Sequence, residues 1–447
     1  MKILVAPWGW PQNYREVPYR IEDKIIPSRT ATGALKGMFK PDHTVLIFPE
    51  SLSVYNPKTF QLKNHKEIAE ALRSFLIREF LVDQKYLPDF NSDRDHVLIA
   101  PASGTFVHSA RKDETFEEAG RLSIKGALSD YFSWVYYQLS NLIFGWIDGA
   151  DSVEILLDLS HGLNFMSTLT YSALYEIGSV IEIKLHNKVT LKLYNADPYY
   201  ENPDYMEINL VKDIIPKINL SRRLPSQKYQ PVKVISKKYT DTAKNLGQAF
   251  SKFEKFYKND CFAFWGAFSQ GIPLGVFRFK PSDRFKEILE TAEKLFKENI
   301  KILYQGEKKF IIISKRLKFT DYFDSTVFLR NLILILDKIS VSSKNEIPLE
   351  NLKAISEQLY KNFPAILDRI NYEVDDLPKS KFKERGSDWE PLGKCGNEIH
   401  RRNFLAHAGL SQNAIEYRYF ENKWWVRYCK DSIDKITGIL IKINRGG

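Results

Sequence analysis

The feature that most constrains the fold is the alternation of short apolar runs with helical patterns over residues 1–212. Such alternation favours an α/β domain with a mostly parallel sheet, because each helix then connects two neighbouring strands. The runs have the length and the β-branched or leucine-rich composition of strands. They are Ile3–Ala6, Thr44–Phe48, His96–Ala100, Val153–Leu159, Ile181–Lys184 and Val189–Tyr194.

Polar or glycine-containing turns follow several of these strands. The turns are Pro7-Trp8-Gly9-Trp10, Pro49-Glu50-Ser51, Pro101-Ala102-Ser103-Gly104 and Ser160-His161-Gly162-Leu163-Asn164. Ligands of open parallel sheets bind in the crevice outside the carboxyl ends of the strands. We therefore expect the turns to converge on one pocket, and Trp8, Gly9, Ser103 and Gly104 become candidate ligand residues on this argument alone.

The pattern changes after residue 212, and 447 residues exceed the usual size of a single core. Residues 213–320 predict a mixed α+β connector domain, and residues 321–447 predict an all-α bundle. The connector carries a helical stretch and two strand-like runs joined by Gln305-Gly306-Glu307-Lys308, and the bundle carries three helical stretches. In chain order they are Asp283–Glu298, Lys301–Tyr304, Phe310–Ser314, Thr326–Ile339, Leu349–Arg369 and Asp431–Ile443.

Positive charge is concentrated in the middle of the chain. The formal net charge is +10, and residues 211–330 hold 25 Lys and Arg against 12 Asp and Glu. Such a segment can attract a polyanion such as RNA. Lysine-rich helix faces are also commonly just solvated, so both interpretations stay open.

The cysteines and the longest uncharged stretch exclude other classes of protein. Three widely spaced cysteines, Cys261, Cys395 and Cys429, support neither a disulfide framework nor a metal site, which favours a reducing interior. The stretch Tyr131–Ile147 is short for a bilayer span and predicts a buried helix. Met1–Val5 does not resemble a signal peptide. We expect a cytoplasmic protein without membrane contact.

The first motif that carries chemistry is Glu398-Ile399-His400-Arg401-Arg402-Asn403-Phe404-Leu405-Ala406-His407-Ala408-Gly409. RNA cleavage needs a group that accepts the 2′-hydroxyl proton, a group that protonates the leaving 5′-oxygen, and fixed positive charge on the phosphate. Histidine titrates near neutral pH and arginine matches phosphate oxygens with a planar fork of donors. Asn403 adds a donor without charge, and Gly409 is placed to end the helix. A core histidine beside solvated arginines explains the same spacing.

Residues five apart on an ideal helix point about 140° apart. Arg402 and His407 of one chain therefore need not face the same cleft. Two copies packed antiparallel about a two-fold axis can line one composite cleft with both pairs.

The second motif is Asp158-Leu159-Ser160-His161-Gly162-Leu163-Asn164, where a strand ends and a predicted helix, Phe165–Ile177, begins. Backbone N–H groups at such a turn bind phosphate, and the side chains of Ser160, His161 and Asn164 can recognise base or ribose edges. An ordinary turn capped by Asp158 and Asn164 explains the pattern equally well.

The two motifs resemble those of known families. Arg402-Asn403, three residues and His407 look like the HEPN nuclease signature, and the Asp158–Asn164 turn at the end of a Rossmann-like strand looks like the signature of CARF sensors of cyclic oligoadenylates. Together, in this order, they resemble the CARF-HEPN ribonucleases of type III CRISPR systems, the Csx and Csm effectors. The resemblance implies a CARF domain over residues 1–212 and a HEPN domain over residues 321–447.

The resemblance also implies a mechanism. Paired CARF domains of a homodimer, or of an assembly of dimers, bind cyclic oligoadenylate, with cyclic tetra-adenylate favoured, and activate HEPN cleavage of single-stranded RNA without metal. Attack by the 2′-hydroxyl leaves 2′,3′-cyclic phosphate ends. His407 is then the acid/base, Arg402 stabilises the phosphate, Asn403 positions it, and Arg401 is an additional candidate. Ser160, His161, Gly162 and Asn164 then bind the activator.

Two other classes of protein stay open. One is a CARF-type regulator that responds to a nucleotide and binds nucleic acid through the basic middle region without cutting it. The other is a HEPN-like toxin or transferase, which the sensor motif disfavours. We find no cluster with metal-ligand spacing, so a metal-dependent nuclease is not predicted.

Overall fold

A computed structural model describes residues 1–11, 14–107, 120–199, 204–305, 310–340, 345–382 and 386–445. It divides into two compact units. Unit 1 comprises residues 1–217, 231–246 and 289–327, and unit 2 comprises residues 218–230, 247–288 and 328–447. Parts of the predicted connector, 213–320, belong to each unit. The three domain boundaries drawn from the sequence stay predictions.

The strands are β1 Lys2–Pro7, β2 Val17–Ile21, β3 Lys24–Ser28, β4 His43–Pro49, β5 Asp95–Ala100, β6 Gly104–Val107, β7 Arg121–Lys125, β8 Val153–Asp158, β9 Val189–Ala196, β10 Met206–Ile214, β11 Val232–Val234, β12 Ile300–Gln305, β13 Phe310–Lys315, β14 Leu317–Phe319, β15 Glu346–Pro348, β16 Glu390–Pro391, β17 Ile415–Phe420 and β18 Lys423–Tyr428.

The α-helices are α1 Ala31–Phe39, α2 His65–Leu76, α3 Ser129–Trp146, α4 Asn164–Leu185, α5 Thr240–Lys255, α6 Phe262–Ser269, α7 Pro273–Phe279, α8 Phe285–Glu298, α9 Asp321–Lys338, α10 Leu349–Tyr360, α11 Pro364–Asp376, α12 Arg401–Ala406 and α13 Ile433–Arg445. The 3₁₀ segments are Glu50–Tyr55, Pro57–Gln61 and Lys430–Ser432. The π-helical segments are Ile77–Asp83, Phe256–Cys261 and Leu377–Lys381.

Unit 1 is built on an eight-stranded sheet of order β3-β2-β10-β9-β8-β1-β4-β5. The five strands from β9 to β5 are mutually parallel, which confirms the predicted α/β class with a mostly parallel sheet. Ile3, Leu4, Val5 and Ala6 of β1 are fully buried, as a strand covered on both faces requires. The chain passes from β1 to β4 and β5 on one side, whereas β8 lies on the other. The strand order therefore reverses between β1 and β8.

One predicted strand is wrong, and three strands of this sheet were missed. Ile181–Lys184 lies in helix α4, which is buried around most of its last two turns. The prediction of a strand was wrong because a short apolar run does not distinguish a buried helix from a strand. Strands β2, β3 and β10 lack long apolar runs. They extend the sheet beyond β9, and β10 runs antiparallel to β9.

A second sheet of unit 1 has the order β12-β13-β7-β6. The predicted helix and hairpin of the middle region are confirmed as α8 and the antiparallel pair β12-β13. The predicted hairpin turn, Gly306 to Lys308, lies outside the described residues. Only β6 and β7 come from the first half of the chain, so contacts within this sheet join distant segments.

A buried ion pair connects the second sheet to the ends of β4 and β5. The Lys315 ammonium, on β13, donates to Glu50 Oε1 and to the Ala102 carbonyl, and the Glu50 side chain is only 4% exposed. Glu50 also accepts from the Ala102 N–H and contacts His65 Nε2, both at 2.7 Å. Burial alone raises the pKa of Glu50, but the charges of Lys315 and His65 lower it to about 2. The Glu50 carboxylate therefore stays ionised although it is buried.

The C-terminal part of unit 2 is mainly helical, as predicted, but it is not all-α. A four-stranded antiparallel sheet of order β15-β18-β17-β16 lies within it. Its strands are short and rich in charged and aromatic residues, so no strand-like apolar run marked them. The predicted helix Leu349–Arg369 is also divided in two, because Pro364 begins α11 after a break at residues 361–363.

The expected absence of a disulfide is wrong. Cys395 and Cys429 are joined by a disulfide, with Cα atoms 5.7 Å apart. They lie 34 residues apart in the sequence, and the β17-β18 hairpin between them brings the two positions together. The third cysteine, Cys261, is free and buried.

The aromatic stretch Tyr131–Ile147 forms most of helix α3, and residues such as Tyr131, Val135 and Leu139 are fully buried. The prediction of a buried helix is confirmed. In the described ranges, no helix combines the length and the apolar character that a membrane span requires.

Replacing Lys315 by Met should lower the free energy of unfolding by about 3–5 kcal/mol, because the Glu50 carboxylate stays buried without its cation. Urea unfolding measures the change. Lys66→Met, which removes an exposed pair with Glu70, is the control and should cost less than about 1 kcal/mol. Equal effects of the two substitutions would contradict a structural role for the buried pair.

Candidate functional site

The turns after β1 and β8 meet where the strand order reverses. The Gly9 N–H donates to the His161 carbonyl at 2.7 Å. A Cβ on Gly162 would lie 3.0 Å from the Pro7 side chain, so a larger residue here would crowd Pro7. Reversal points of parallel sheets are where ligands bind. The predicted convergence is found for these two turns, whereas the turns after β4 and β5 meet separately around Lys315.

The buried Asp158 carboxylate stabilises this turn by hydrogen bonds. The carboxylate is 1% exposed. Its Oδ1 accepts from the Ser160 N–H at 2.9 Å and from the Ser160 hydroxyl at 2.6 Å, and its Oδ2 accepts from the Thr32 hydroxyl at 2.5 Å. The Ser160 oxygen in turn accepts from the Ala196 N–H at 2.9 Å. The Ser160 hydroxyl is thereby fixed by the fold.

His161 connects the turn to helix α1. Its Nε2 accepts from the Ala31 N–H, the first amide of the helix, at 2.8 Å. This bond requires an unprotonated Nε2. Burial lowers the pKa of His161, although the nearby Asp158 charge acts in the opposite direction. The imidazole is therefore neutral and ties two segments together.

A cavity of about 390 Å³ opens beside Ser160 and His161. Arg15 and Arg29 supply positive charge to its wall, and Tyr14 supplies an aromatic ring whose hydroxyl donates to the His161 carbonyl at 3.3 Å. Guanidinium groups beside aromatic rings suit phosphates and bases. Sequence reasoning missed these three residues because it missed strands β2 and β3: Tyr14 and Arg15 precede β2, and Arg29 follows β3.

The other six predicted ligand residues do not line this cavity: Trp8, Gly9, Ser103, Gly104, Gly162 and Asn164. Trp8 is completely buried and donates from its ring nitrogen to Thr32 at 2.8 Å, which corrects its assignment because a side chain without exposed surface cannot contact a ligand. Ser103 donates to the Gly126 carbonyl and Gly104 begins β6. Asn164 is exposed at the first residue of α4.

The second site lies around the short helix α12. The helix ends at Ala406, and Ala408 and Gly409 both have positive φ, 48° and 81°. The Ala408 N–H donates to the Leu405 carbonyl and the Gly409 N–H donates to the Phe404 carbonyl, which is a Schellman end. The predicted helix end is found, although Ala408 is the first left-handed residue. His407 sits directly before this turn.

A buried glutamate holds His407. His407 Nδ1 lies 2.9 Å from Glu373 Oε1, and the exposed fractions of the two side chains are 44% and 7%. The Lys381 ammonium contacts Glu373 Oε2 and Asp376 Oδ2, both at 3.2 Å. Although burial lowers the pKa of Lys381, its bonds to Glu373 and Asp376 raise it above the usual value. Lys381 therefore stays charged.

His407 and Asn403 line a cavity of about 310 Å³ together with Lys381 and His400. No hydrogen bond to His407 Nε2 is found in the described part of the chain. Arg402 is exposed and does not line the cavity. The structure of one chain thus brings His407 and Asn403 together and leaves Arg402 outside.

Sequence reasoning missed Glu373 and Lys381. Glu373 lies on the buried stripe of α11, next to Val374 and one turn after Ile370. A carboxylate on an apolar helix face is costly unless it has a partner, and this misplaced charge was the available signal. Lys381 closes the π-helical segment Leu377–Lys381, and such segments often accompany functional sites.

The structure offers one group of metal-capable side chains in the ranges it describes: Cys395, Glu416 and Cys429. The two sulfurs form the disulfide, so they are not thiolate ligands. Glu416 pairs with Arg427 at 2.6 Å. Metal-free chemistry stays a prediction.

Comparisons with known proteins find similarity in the two segments of the chain that contain these sites. The family model described as CRISPR system endoribonuclease Csx1, CARF domain, matches residues 3–198, and the HEPN domain model of the same family matches residues 363–431. The CRISPR system endoribonuclease Csx1 of Methanocaldococcus jannaschii is 28% identical to this chain over an alignment of 470 positions. The alignment covers 98% of this chain and 93% of that protein.

A solved structure, Enterococcus italicus Csm6 bound to cyclic hexa-2′-fluoro-hexa-dAMP, matches 100% of this chain and 93% of that chain with 12% identity. The TM-score between the two structures is 0.24. The segment matched by the CARF model contains the turn from Asp158 to Asn164, and the segment matched by the HEPN model contains Glu373, Lys381 and His407.

The neutral His161 predicts a specific pH dependence of stability. In the unfolded chain the imidazole takes up a proton near pH 6.5, but in the folded chain it does so only at lower pH, because burial lowers the pKa. Between the two values the unfolded state binds more protons, so the free energy of unfolding falls as the pH decreases. Urea unfolding at pH 7 and pH 5.5 should show a smaller fall for His161→Asn than for wild type. Equal falls would mean that His161 is not held neutral.

Proposed function

The chain belongs to the CRISPR-associated CARF-HEPN ribonucleases, and from this premise we propose that a cyclic oligoadenylate switches on its cleavage of single-stranded RNA. The observation that carries the proposal is the contact between His407 and the buried Glu373 at the edge of a cavity that also holds Asn403 and Lys381. An RNA phosphate fits such a mixture of one titratable imidazole, one amide and one ammonium.

Glu373 gives His407 a defined role. A carboxylate that accepts from the Nδ1–H fixes the tautomer and leaves Nε2 to exchange protons with substrate. In the proposed reaction a base takes the 2′-hydroxyl proton, O2′ attacks the phosphorus, and the 5′-oxygen leaves with a proton from an acid. The products are a 2′,3′-cyclic phosphate end and a 5′-hydroxyl end. Lys381 and Asn403 stabilise the phosphate, so we propose that no metal is required.

We propose that a second copy completes the site. Arg402 lies outside the cavity of its own chain. A two-fold arrangement brings Arg402 of one copy to His407, the acid/base, of the other, so that each catalytic pair takes one residue from each copy. The active form is then a homodimer or an assembly of dimers in the cytoplasm, where single-stranded RNA is available.

We propose that the 390 Å³ cavity of unit 1 is part of the activator site. Arg15 and Arg29 bind phosphates of a cyclic oligoadenylate, with the tetra-adenylate favoured, and Tyr14 stacks on a base. Gly9, Ser160, His161 and Gly162 shape the turn, and Asn164 adds a donor at the start of α4. Activation requires that the ligand binds one arrangement of the dimer more tightly than another.

The first test of this function is cleavage of a labelled single-stranded RNA in excess EDTA, with cyclic tri-, tetra- or hexa-adenylate or without addition. Wild type should cut only with one of the rings, and His407→Ala should be inactive while it still binds that ring. Product ends should carry 2′,3′-cyclic phosphate. Cutting by His407→Ala would contradict its catalytic role, and the absence of cutting under all conditions would favour a regulator without nuclease activity.

The role of Glu373 is tested by Glu373→Gln. An amide does not hold the histidine tautomer as a carboxylate does, so kcat should fall roughly 10- to 100-fold while KM changes little. The pH profile of kcat should shift as well, which a merely structural role would not cause. Glu357→Gln, an exposed glutamate on α10, is the matched control and should behave like wild type. An unchanged kcat and pH profile for Glu373→Gln would remove it from the mechanism.

A further inference from the structure

Two lysines face each other on a short ladder of unit 1. Strands β11 and β14 pair antiparallel, and Lys233 lies directly opposite Lys318. Their neighbours Val232 and Leu317 point inward and are buried, so the two lysines share the outer face. Like charges directly opposite in a ladder are destabilising. A bound anion would turn this repulsion into attraction.

Three more cations lie next to this ladder. Arg316 directly precedes β14, and the exposed Lys237 and Lys238 follow β11. We call Lys233, Lys237, Lys238, Arg316 and Lys318, with Tyr239, the basic surface. In the part of the chain that the structure covers, none of its cations forms an ion pair. The nearest carboxylates in the sequence, Asp241 and Asp321, are exposed and form none with them.

An aromatic ring lies within the basic surface. The Arg316 guanidinium and the Lys238 ammonium each lie 5.2 Å from the centre of the Tyr239 ring. Tyr239 is half-buried, so part of the ring stays accessible. Single-stranded nucleic acids bind to positively charged faces that carry aromatic rings on which bases stack. An acidic protein segment would use the charges but would have less use for the ring.

We propose that the basic surface binds single-stranded RNA outside the catalytic cavity and supplies affinity for substrates longer than a few nucleotides. The proposal rests on the proposed ribonuclease function, which provides the RNA. It also assigns a role to part of the positive charge of residues 211–330, where 25 Lys and Arg stand against 12 Asp and Glu. None of the six residues lines the cavity that we assign to the activator.

The experiment measures the binding of a labelled, unstructured single-stranded RNA of about 20 nucleotides by fluorescence anisotropy at several salt concentrations. The full chain carries His407→Ala so that the RNA is not cut. Adding Lys233→Gln and Lys318→Gln should reduce the slope of log affinity against log salt by about 1.4 and weaken binding roughly 25-fold near 0.1 M salt. Lys237→Gln with Lys238→Gln should act in the same direction without touching the ladder.

The matched control is Lys66→Gln with Lys294→Gln, which removes the same charge from exposed lysines on α2 and α8. It should leave the slope unchanged. A normal slope in both basic-surface variants, or an equal loss in the control, would overturn the proposal. Cleavage by the chain with an intact His407, measured in parallel, tests the ribonuclease function separately, because binding to the inactive chain does not depend on it.

Discussion

Buried carboxylates with fixed partners are the constraint on which both sites depend. An ionised carboxylate is stable inside a protein only if donors or cations surround it. Asp158 accepts three hydrogen bonds and thereby fixes the turn at Ser160. Glu373 contacts both His407 and Lys381. In each case the buried carboxylate fixes the position of side chains that are partly exposed to solvent. The geometry of the exposed groups therefore depends on the buried carboxylate.

The sequence predicted the parts of this arrangement that depend on local pattern. Continuous apolar runs identified the five parallel strands, and the two motifs were placed correctly at a strand end and at a helix end. Partners distant in the sequence were not predicted. Glu373 lies 34 residues before His407, and Cys395 pairs with Cys429 across a hairpin whose strands are too polar to be recognised. The prediction of a strand at Ile181–Lys184 was wrong because an apolar run alone does not distinguish a buried helix from a strand.

Burial also distinguishes the side chains that stabilise the fold from those that are accessible to a ligand. Residues of the Asp158–Asn164 motif, such as Ser160 and His161, are engaged in bonds that build the turn. Tyr14, Arg15 and Arg29 line the cavity beside this turn. In the motif around helix α12, His407 contacts Glu373 and is partly exposed, whereas Arg402 is exposed and does not line the cavity. A motif thus names the residues of a site without assigning which of them contact the substrate.

Subunit complementation tests whether residues of two copies form the catalytic site. Chains carrying His407→Ala and chains carrying Arg402→Ala should each be inactive. A mixed dimer of the two keeps one Arg402 opposite one intact His407. Co-assembly of the two inactive chains should therefore restore part of the activator-dependent RNA cleavage. If the mixture stays as inactive as its components, each chain acts alone and the composite site is contradicted.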